Sequence, residues 1–225
     1  IINRLKQVKK ITNVVMATTN NNADKQLCRF AELENIPYYA GSQDDILDRL
    51  YQTGKKFNSP ILVKVNGDCP LIDPTTISAG LDLYLRAQQT PDLVVNTITD
   101  TFPDGTQFGI FNVQTLCTLG SQIQDKFWRE FIYMYMIENQ DKFEIINMKN
   151  SKDLSSLRWV VDYPEDLEYV RQIYKNLYHK NPNFTTLDVL SLLEERPELI
   201  QINAKYVANA SKQEYNSLKK KHESH

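Results

Sequence analysis

The chain has 225 residues, of which 41% are hydrophobic and 24% charged, and its formal net charge is −2. These proportions are typical of one large α/β domain with enough apolar residues for a core. The near-neutral charge, without a long basic stripe before the C-terminal segment, argues against a nucleic-acid polymer as partner, and no apolar run approaches the roughly 18 residues that a membrane span needs.

The first half of the chain alternates strand and helix patterns. Short apolar runs predict four strands, at residues 13–19, 37–42, 60–65 and 92–97. Apolar residues at helical spacing predict helices between them, at about residues 20–36, 44–57 and 74–86. This alternation indicates right-handed βαβ units, so we expect an α/β fold with a mostly parallel sheet and helices on both faces.

The second half is less regular. A PDG turn inside residues 102–113 predicts a hairpin-like insertion. Further patterns predict helices and strands, with helices at residues 125–139, 164–178 and 185–199 and strands at 143–148 and 157–162. We therefore expect a single domain over residues 1–203, followed by a polar tail over residues 204–225.

The segment from Thr101 to Tyr135 is rich in aromatic residues. Because dense aromatic clusters on a surface usually meet a partner, we expect this segment to form an interface or a lid instead of a strand of the regular sheet. The cluster consists of Phe127, Trp128, Phe131, Tyr133 and Tyr135.

Rare residue types narrow the chemistry. The three cysteines form no CxxC pair and no signal-peptide pattern opens the sequence, so we expect reduced thiols in a cytoplasmic protein. The three histidines lie late in the chain, which argues against histidine triads and His-rich zinc sites. Neither GxGxxG nor GxxxxGK[ST] occurs. The abundant carboxylates favour a hard cation such as Mg²⁺.

Two aspartates follow apolar strand patterns. Asp68 follows "PILVKV" and Asp162 ends "LRWVVD". Ligands of open α/β sheets sit outside the carboxyl ends of strands, so both carboxylates are candidates to bind one divalent cation. The alternative is that each is a turn former or helix cap, especially Asp162, which lies two residues before Pro164. We expect Gly67 to let the backbone turn so that Asp68 faces the cleft.

Three motifs, "GSQDDILDRLYQ", "NGDCPLIDP" and "LRWVVDYPEDLEYVRQIY", resemble in order and separation the cytidylyltransferases of the spore-coat polysaccharide type. These are relatives of the acylneuraminate and 3-deoxy-manno-octulosonate cytidylyltransferases, and the resemblance covers residues 1 to about 203. It implies a Rossmann-like nucleotide-diphospho-sugar transferase fold. It also implies an enzyme that joins CTP to an acidic or modified sugar with Mg²⁺, releasing pyrophosphate for surface-polysaccharide synthesis, as a homodimer.

The resemblance also implies roles for individual residues. Asp68 and Asp162 match the metal-binding aspartates of the family. Asp48 and Arg49 match a segment that lines the nucleotide pocket, although an exposed helix face explains them equally well. Arg158 is a candidate to bind a phosphate or sugar carboxylate, with a surface ion pair as the alternative. Asn96 is a candidate to contact the sugar, with capping of the strand exit as the alternative.

The sequence departs from the family pattern in three places. Gln107 and Gly109 stand where members carry acidic residues, and Phe131 stands where they carry a histidine. The family also opens with a strand and a phosphate-binding loop before the helix that we predict at residues 1–11. We therefore expect this chain to lack them at its N-terminus, to have a gap in its sheet and to be a poor enzyme alone.

Two other functions remain open. One is a catalytically inert relative that binds a sugar or nucleotide, which the loss of the acids after the PDG turn and of the histidine would suit. The other is a nucleotide-sugar glycosyltransferase on a similar fold, although such enzymes favour a DxD motif and this chain has none.

Overall fold

The computed structural model describes residues 1–224, in which short strands alternate with helices. The strands in this part of the chain are β1 (Met16–Thr19), β2 (Tyr38–Gly41), β3 (Ile61–Val65), β4 (Leu93–Val95), β5 (Phe108–Asn112) and β6 (Ile145–Asn147). The α-helices are α1 (Ile2–Leu5), α2 (Lys25–Leu33), α3 (Ile46–Lys56), α4 (Pro74–Arg86), α5 (Val113–Gln122), α6 (Lys126–Glu130), α7 (Ile132–Glu138), α8 (Pro164–Leu177), α9 (Thr186–Glu195) and α10 (Ala210–His222). Two 3-10 helices cover Asn22–Asp24 and Pro197–Ile202.

Helix starts follow the capping residues of the sequence. The side chain of Asp45 accepts a hydrogen bond from the backbone of Asp48 at the start of α3, and Asp73 caps α4 just before Pro74. These side chains satisfy backbone N–H groups that have no partner within the helix. The predicted starts of α4 and α8, both at a proline, are confirmed.

The strands form two sheets. β1 pairs in parallel with β2, and the second sheet has the strand order β3-β5-β4-β6. β5 runs antiparallel to β3 and β4, whereas β4 and β6 are parallel. The α/β class is confirmed, but the sheets together are mixed instead of mostly parallel. The expectation that residues 101–135 do not continue the sheet is wrong, because this segment contains β5, which lies between β3 and β4 in the sheet.

Side chains of the second sheet alternate between two apolar layers. Leu93, Val95 and Phe111 pack with α3, α5 and α7 on one face. Val94 and Ile110 pack with α4 on the other. Successive residues of a strand point to opposite faces, and both faces are covered, so these strands read as continuous apolar runs in the sequence. Helices on both faces are thus confirmed.

A third apolar cluster forms where α8 and α9 pack around the fully buried Trp159. Trp159 lies in "LRWVVD", which we predicted as a strand. This segment makes only an isolated bridge, between Arg158 and Asp104, so the strand prediction is wrong. The segment is apolar because it is buried under α8 and α9.

A cavity of about 550 Å³ lies between the two sheets. It is lined by residues of β1 and of β3, with α3 and α4 also contributing side chains. Within residues 1–224, β1 has no strand partner besides β2, and β3 has none besides β5. The cavity therefore lies beside two strands that each pair on one edge only.

Residues 204–224 do not form a free tail. Helix α10 packs on the aromatic cluster, with His222 stacked on Phe127 at 4.4 Å between ring centroids and Tyr215 at 5.2 Å from Phe131. Lys219 and Tyr215 also bind the carboxylate of Glu138 at the end of α7. The clustered aromatic residues are half-buried instead of exposed, so their composition does not require a partner chain.

In the part of the chain that the structure describes, no helix is both long and apolar enough to cross a bilayer.

The pairing of the strands predicts their protection against hydrogen exchange. Backbone groups of β5 are paired within the sheet on both sides, whereas β3 has one unpaired edge. We expect amides of β5 to exchange more slowly than those of β3, because an unpaired N–H exchanges without opening of the sheet. Mass spectrometry of the peptides that cover Ile61–Val65 and Phe108–Asn112 checks this, with the outer strand β6 as internal control. Equal protection of β3 and β5 would contradict the topology.

Candidate metal and nucleotide site

The exits of β3 and of the "LRWVVD" segment lie side by side. The backbone N–H of Val161 donates a hydrogen bond to the backbone carbonyl of Asp68 at 3.0 Å. Asp162 is the next residue, so the structure brings the backbone segments that carry the two predicted metal ligands next to each other. Asp68 is half-buried and the side chain of Asp162 is 46% exposed, which leaves both within reach of solvent.

Each of the two carboxylates is held through one oxygen. The thiol of Cys69 donates to Oδ1 of Asp68 at 3.2 Å, and burial, followed by the charge of Asp68, raises the pKa of that thiol so that it keeps its proton. Arg158 donates to Oδ2 of Asp162 at 2.7 Å. Within the described residues, Oδ2 of Asp68 and Oδ1 of Asp162 accept no hydrogen bond. Each carboxylate therefore keeps one oxygen that is available to a ligand.

Arg158 is buried, unlike the surface residue that one alternative supposed. Its guanidinium forms two hydrogen bonds with Asp166, at 3.0 and 2.7 Å, and a third with the carbonyl of Val207 at 3.1 Å. Asp104 lies 3.7 Å away. The hydrogen bonds to Asp166 are the largest cause that raises the pKa of Arg158. Since most of its N–H donors are used inside the chain, this placement favours a structural role over a substrate contact.

The PDG turn lies beside Arg158. Gly105 has φ 92°, and a Cβ there would lie 2.3 Å from the backbone nitrogen of Val160, so only glycine fits. Gln107 accepts a hydrogen bond from the Gly105 N–H and donates to Asp104. The raised pKa of Asp104 is due first to burial.

The departures from the family pattern have structural roles here. Gln107 orders the PDG turn. A Cβ at Gly109 would lie 2.7 Å from the ring of Tyr133, so glycine admits that ring against β5. Phe131 lies at the break between α6 and α7 and packs on Tyr215. The sequence pattern did not reveal these contacts, because Tyr133 is 24 residues from Gly109 and Tyr215 is 84 residues from Phe131.

The other predicted site residues are placed differently. Arg49 donates to the carbonyls of Ser42 and Gln43 and lines the cavity beside β3, close to Gly67. Asp48 is half-buried on α3 and accepts a hydrogen bond from Gln52. Asn96 is buried.

Both ends of the Asn96 amide bind backbone. The nitrogen donates to the carbonyl of Thr106 and the oxygen accepts from the N–H of Phe108. This is the capping of a strand exit that we gave as the alternative to a sugar contact. Gly67, in turn, has no positive φ and its missing Cβ would meet no atom within 4 Å, so the turn there does not require glycine.

Asp68 and Asp162 each keep one carboxylate oxygen free of hydrogen bonds within the described residues, and carboxylate oxygens are the donors that Mg²⁺ prefers. Mg²⁺ is usually held by one or two carboxylates together with water and substrate phosphates, not by a complete set of protein ligands. No group of three or more His, Cys, Asp or Glu side chains among residues 1–224 is arranged to hold a metal. The closed ligand set of a structural zinc site is thus absent from the described residues.

Known proteins of similar sequence and structure bear on this site. A cytidylyltransferase from Leptospira borgpetersenii has a structure that matches 89% of this chain and 83% of its own, with 30% identity and a TM-score of 0.83. The synthetase of CMP-2-keto-3-deoxy-manno-octonic acid, solved with CTP, matches 78% of this chain and 86% of its own with a TM-score of 0.55, and at 16% identity it supports the fold alone.

Two curated relatives align over most of the chain, whereas no protein-family model matches it. An uncharacterized protein of Methanocaldococcus jannaschii is 22% identical over 91% of this chain and 82% of its own length. The spore coat polysaccharide biosynthesis protein SpsF of Bacillus subtilis is 19% identical over 83% of this chain and 76% of its own length.

The fold and the site define a nucleotidyltransferase of Rossmann-like architecture. The identity and coverage of the Leptospira enzyme show that this chain belongs to the cytidylyltransferase family. The resemblance that we drew from the three sequence motifs is thereby confirmed.

The environment of Asp166 predicts a pH dependence of stability. Burial alone would raise the pKa of Asp166, but hydrogen bonds from Arg158, Asn203 and the backbone of Asp162 outweigh it and lower the pKa. A carboxyl with a lowered folded pKa stabilises the fold above its unfolded pKa of about 3.9, and this contribution is lost as the pH falls through the folded value. We expect the melting-temperature difference between the parent and Asp166→Asn to be large at neutral pH and to shrink below about pH 4.

The exposed Asp141 provides the control for this measurement. Asp141→Asn should leave the melting temperature close to that of the parent at every pH. A difference for Asp166→Asn that stays constant as the pH falls would contradict the assigned shift.

The two glycines near the site provide a matched pair of substitutions. Gly105→Ala forces a methyl group against the backbone at a positive φ, so we expect it to lower the melting temperature by several degrees, as a loss of about 1–3 kcal/mol does. Gly67→Ala meets open space at an ordinary φ and should change the melting temperature little. Thermal unfolding of both variants decides this, and equal effects would be inconsistent with the geometry.

Proposed function

We propose that the protein transfers the cytidylyl group of CTP to a hydroxyl of an acidic or modified sugar, forming a CMP-sugar and pyrophosphate. The sugar oxygen attacks the α-phosphorus, the bond from that phosphorus to the β-phosphate bridging oxygen breaks, and the hydroxyl proton passes to solvent. The observation that carries the proposal is the adjacency of Asp68 and Asp162, in a chain 30% identical to a cytidylyltransferase.

The residues of this chain contribute mainly position and charge. Phosphoryl transfer needs little covalent help from a protein, because the reacting groups are polyanions that must be aligned and neutralised. Asp68 and Asp162 would hold Mg²⁺, which when bound neutralises charge on the phosphates. Arg49 and Lys64 line the cavity that reaches Gly67. The positive charge of Arg49 supports the nucleotide side of the site, whereas burial lowers the pKa of Lys64.

The likeness to SpsF supports a place in surface-polysaccharide synthesis, and the enzyme solved with CTP supports CTP as the nucleotide. A cytoplasmic homodimer stays a prediction, and sedimentation at high protein concentration tests the dimer. The structure weakens the case for a catalytically inert relative. Gln107, Gly109 and Phe131, which depart from the family pattern, each make structural contacts. The candidate ligands Asp68 and Asp162 are still present.

Pyrophosphate release tests the proposal directly. The full-length gene product is incubated with CTP, Mg²⁺ and a panel of sugar acids, and with the other nucleoside triphosphates in parallel. We expect release to require CTP, Mg²⁺ and one sugar class. Absence of release with every pair of substrates, from folded protein, would favour the inert relative, and binding of a nucleotide sugar in preference to CTP would favour the glycosyltransferase.

Substitution of the two aspartates tests the site. Asp68→Asn and Asp162→Asn keep the side-chain shape but remove the negative charge, so we expect each to lower kcat by roughly 10²–10³-fold, as loss of a key electrostatic group does. Asp153→Asn, an exposed aspartate that binds only Ser155, is the control and should keep parental kcat. Parental turnover by both site variants, with unchanged Mg²⁺ dependence, would rule out this site.

A further inference from the structure

The guanidinium of Arg158 joins Asp162 to the rest of the fold. One nitrogen, Nη2, donates at 2.7 Å both to Oδ2 of Asp162 and to Oδ2 of Asp166. A second nitrogen, Nη1, donates to the carbonyl of Val207. Arg158 is thus the hydrogen-bond partner of the Asp162 side chain. Through Arg158, the Asp162 carboxylate is connected to Asp166 and to the C-terminal segment.

Asp166 is itself fixed from several directions. Its carboxylate accepts hydrogen bonds from the backbone N–H groups of Asp162 and Tyr163 and from the amide of Asn203. Its side chain has no exposed surface. A carboxylate that accepts this many hydrogen bonds has one orientation, so the planar fork of Arg158 that binds it at two atoms has one orientation as well.

A stacked pair of aromatic rings beside Arg158 restricts it further. Tyr163 and Tyr206 stack on each other with 3.9 Å between centroids, and the guanidinium carbon lies 5.6 Å from each ring. Tyr206 belongs to the segment after the last 3-10 helix and is held by Glu165. Residues 203–209 thus contact Arg158 at three points, through Asn203, Tyr206 and Val207.

We propose that Arg158 is a positioning residue that holds Asp162 in one rotamer, with Oδ2 bound and Oδ1 presented for the metal, and that Asp166 and residues 203–209 set its orientation. The inference rests on the proposed function, since it concerns Asp162 as a metal ligand. An exposed aspartate without such a partner samples several rotamers and loses that freedom on binding the ion. Partners that orient metal ligands typically change metal affinity about 10–100-fold.

The charges are compatible with this role. Asp166 balances the charge of Arg158 at hydrogen-bond distance, while Asp104 and Asp162 add two further carboxylates near the same guanidinium. The group thus holds more negative than positive charge, and a divalent cation at Oδ1 of Asp162 is attracted to it. Arg158 orients the ligand without cancelling the charge that binds the ion.

Binding of Mn²⁺ alone, followed by electron paramagnetic resonance, tests the role without turnover. Arg158→Lys keeps the charge but loses the planar fork, and we expect its Kd for Mn²⁺ to rise about 10–100-fold. The double variant Arg158→Gln/Asp166→Asn removes the buried pair as a unit, so Asp166 is not left as an unpaired charge and the net charge is unchanged. We expect the same rise in Kd for it, accompanied by a rise in the Mg²⁺ concentration that gives half-maximal turnover.

Arg4 provides the matched control. It is also a buried arginine, bound to the carbonyls of Ile72 and Phe184 and stacked on the Phe184 ring, and it makes no contact with Asp162. Arg4→Lys should lower the melting temperature as Arg158→Lys does but leave the Kd for Mn²⁺ within about twofold of the parent. A purely structural role of Arg158 would give the two lysine variants the same Kd.

The outcomes separate this inference from the proposed function. If Asp162→Asn loses Mn²⁺ while both Arg158 variants bind it as the parent does, the positioning role fails and the metal site stands. If Asp68→Asn and Asp162→Asn both bind Mn²⁺ like the parent, the metal site fails and the positioning role fails with it. Failure of both Arg158 variants to fold, with Arg4→Lys folded, would also overturn the inference, because Arg158 would then serve the fold.

Discussion

The buried ion pair between Arg158 and Asp166 connects segments that are distant in the chain. Its atoms contact the exit of "LRWVVD", the start of α8, the neighbourhood of the PDG turn at Asp104, and the C-terminal segment at Asn203 and Val207. Loss of one partner of a buried pair typically costs about 3–5 kcal/mol, because the other charge is left without compensation. Asp162 is joined to this pair by its hydrogen bond with Arg158, while the backbone of Val161 bonds to Asp68.

The antiparallel strand β5 gives the site its second support. It lies between β3 and β4, so the turn that precedes it is held against Asn96 at the exit of β4 and against Trp159 through Asp104. The same strand carries Gly109, which admits the ring of Tyr133 from α7. Residues 102–113, which we predicted as a hairpin-like insertion, therefore form a central strand of the sheet. This strand connects the candidate site to α7.

Residues 204–224 extend the domain. Asn209 donates its N–H to Asp104 and its side-chain amide to the carbonyl of Ser155, after which α10 runs over the aromatic cluster. Its lysine-rich composition and weak apolar pattern are those of a solvated segment, but ring contacts such as Tyr215 on Phe131 and ion pairs such as Lys219 with Glu138 fix it. A surface helix with one narrow apolar stripe gives little periodic signal in a sequence.

The sequence by itself determined the features that depend on neighbouring residues. Apolar periodicity and capping residues located α3, α4, α8 and the strands β1 to β4 to within a few residues, and three motifs identified the family. These features follow from propensities and caps that act within a few residues of chain.

Only the tertiary structure decided which distant groups meet. It made β5 a central antiparallel strand, turned "LRWVVD" from a strand into a buried connection, and assigned Asn96 to backbone capping. It also placed Arg158 in contact with both Asp162 and Val207, which are 45 residues apart in the sequence. Such pairings are set by burial and by the need to satisfy every buried polar group across the whole fold, and no local pattern in the sequence carries that information.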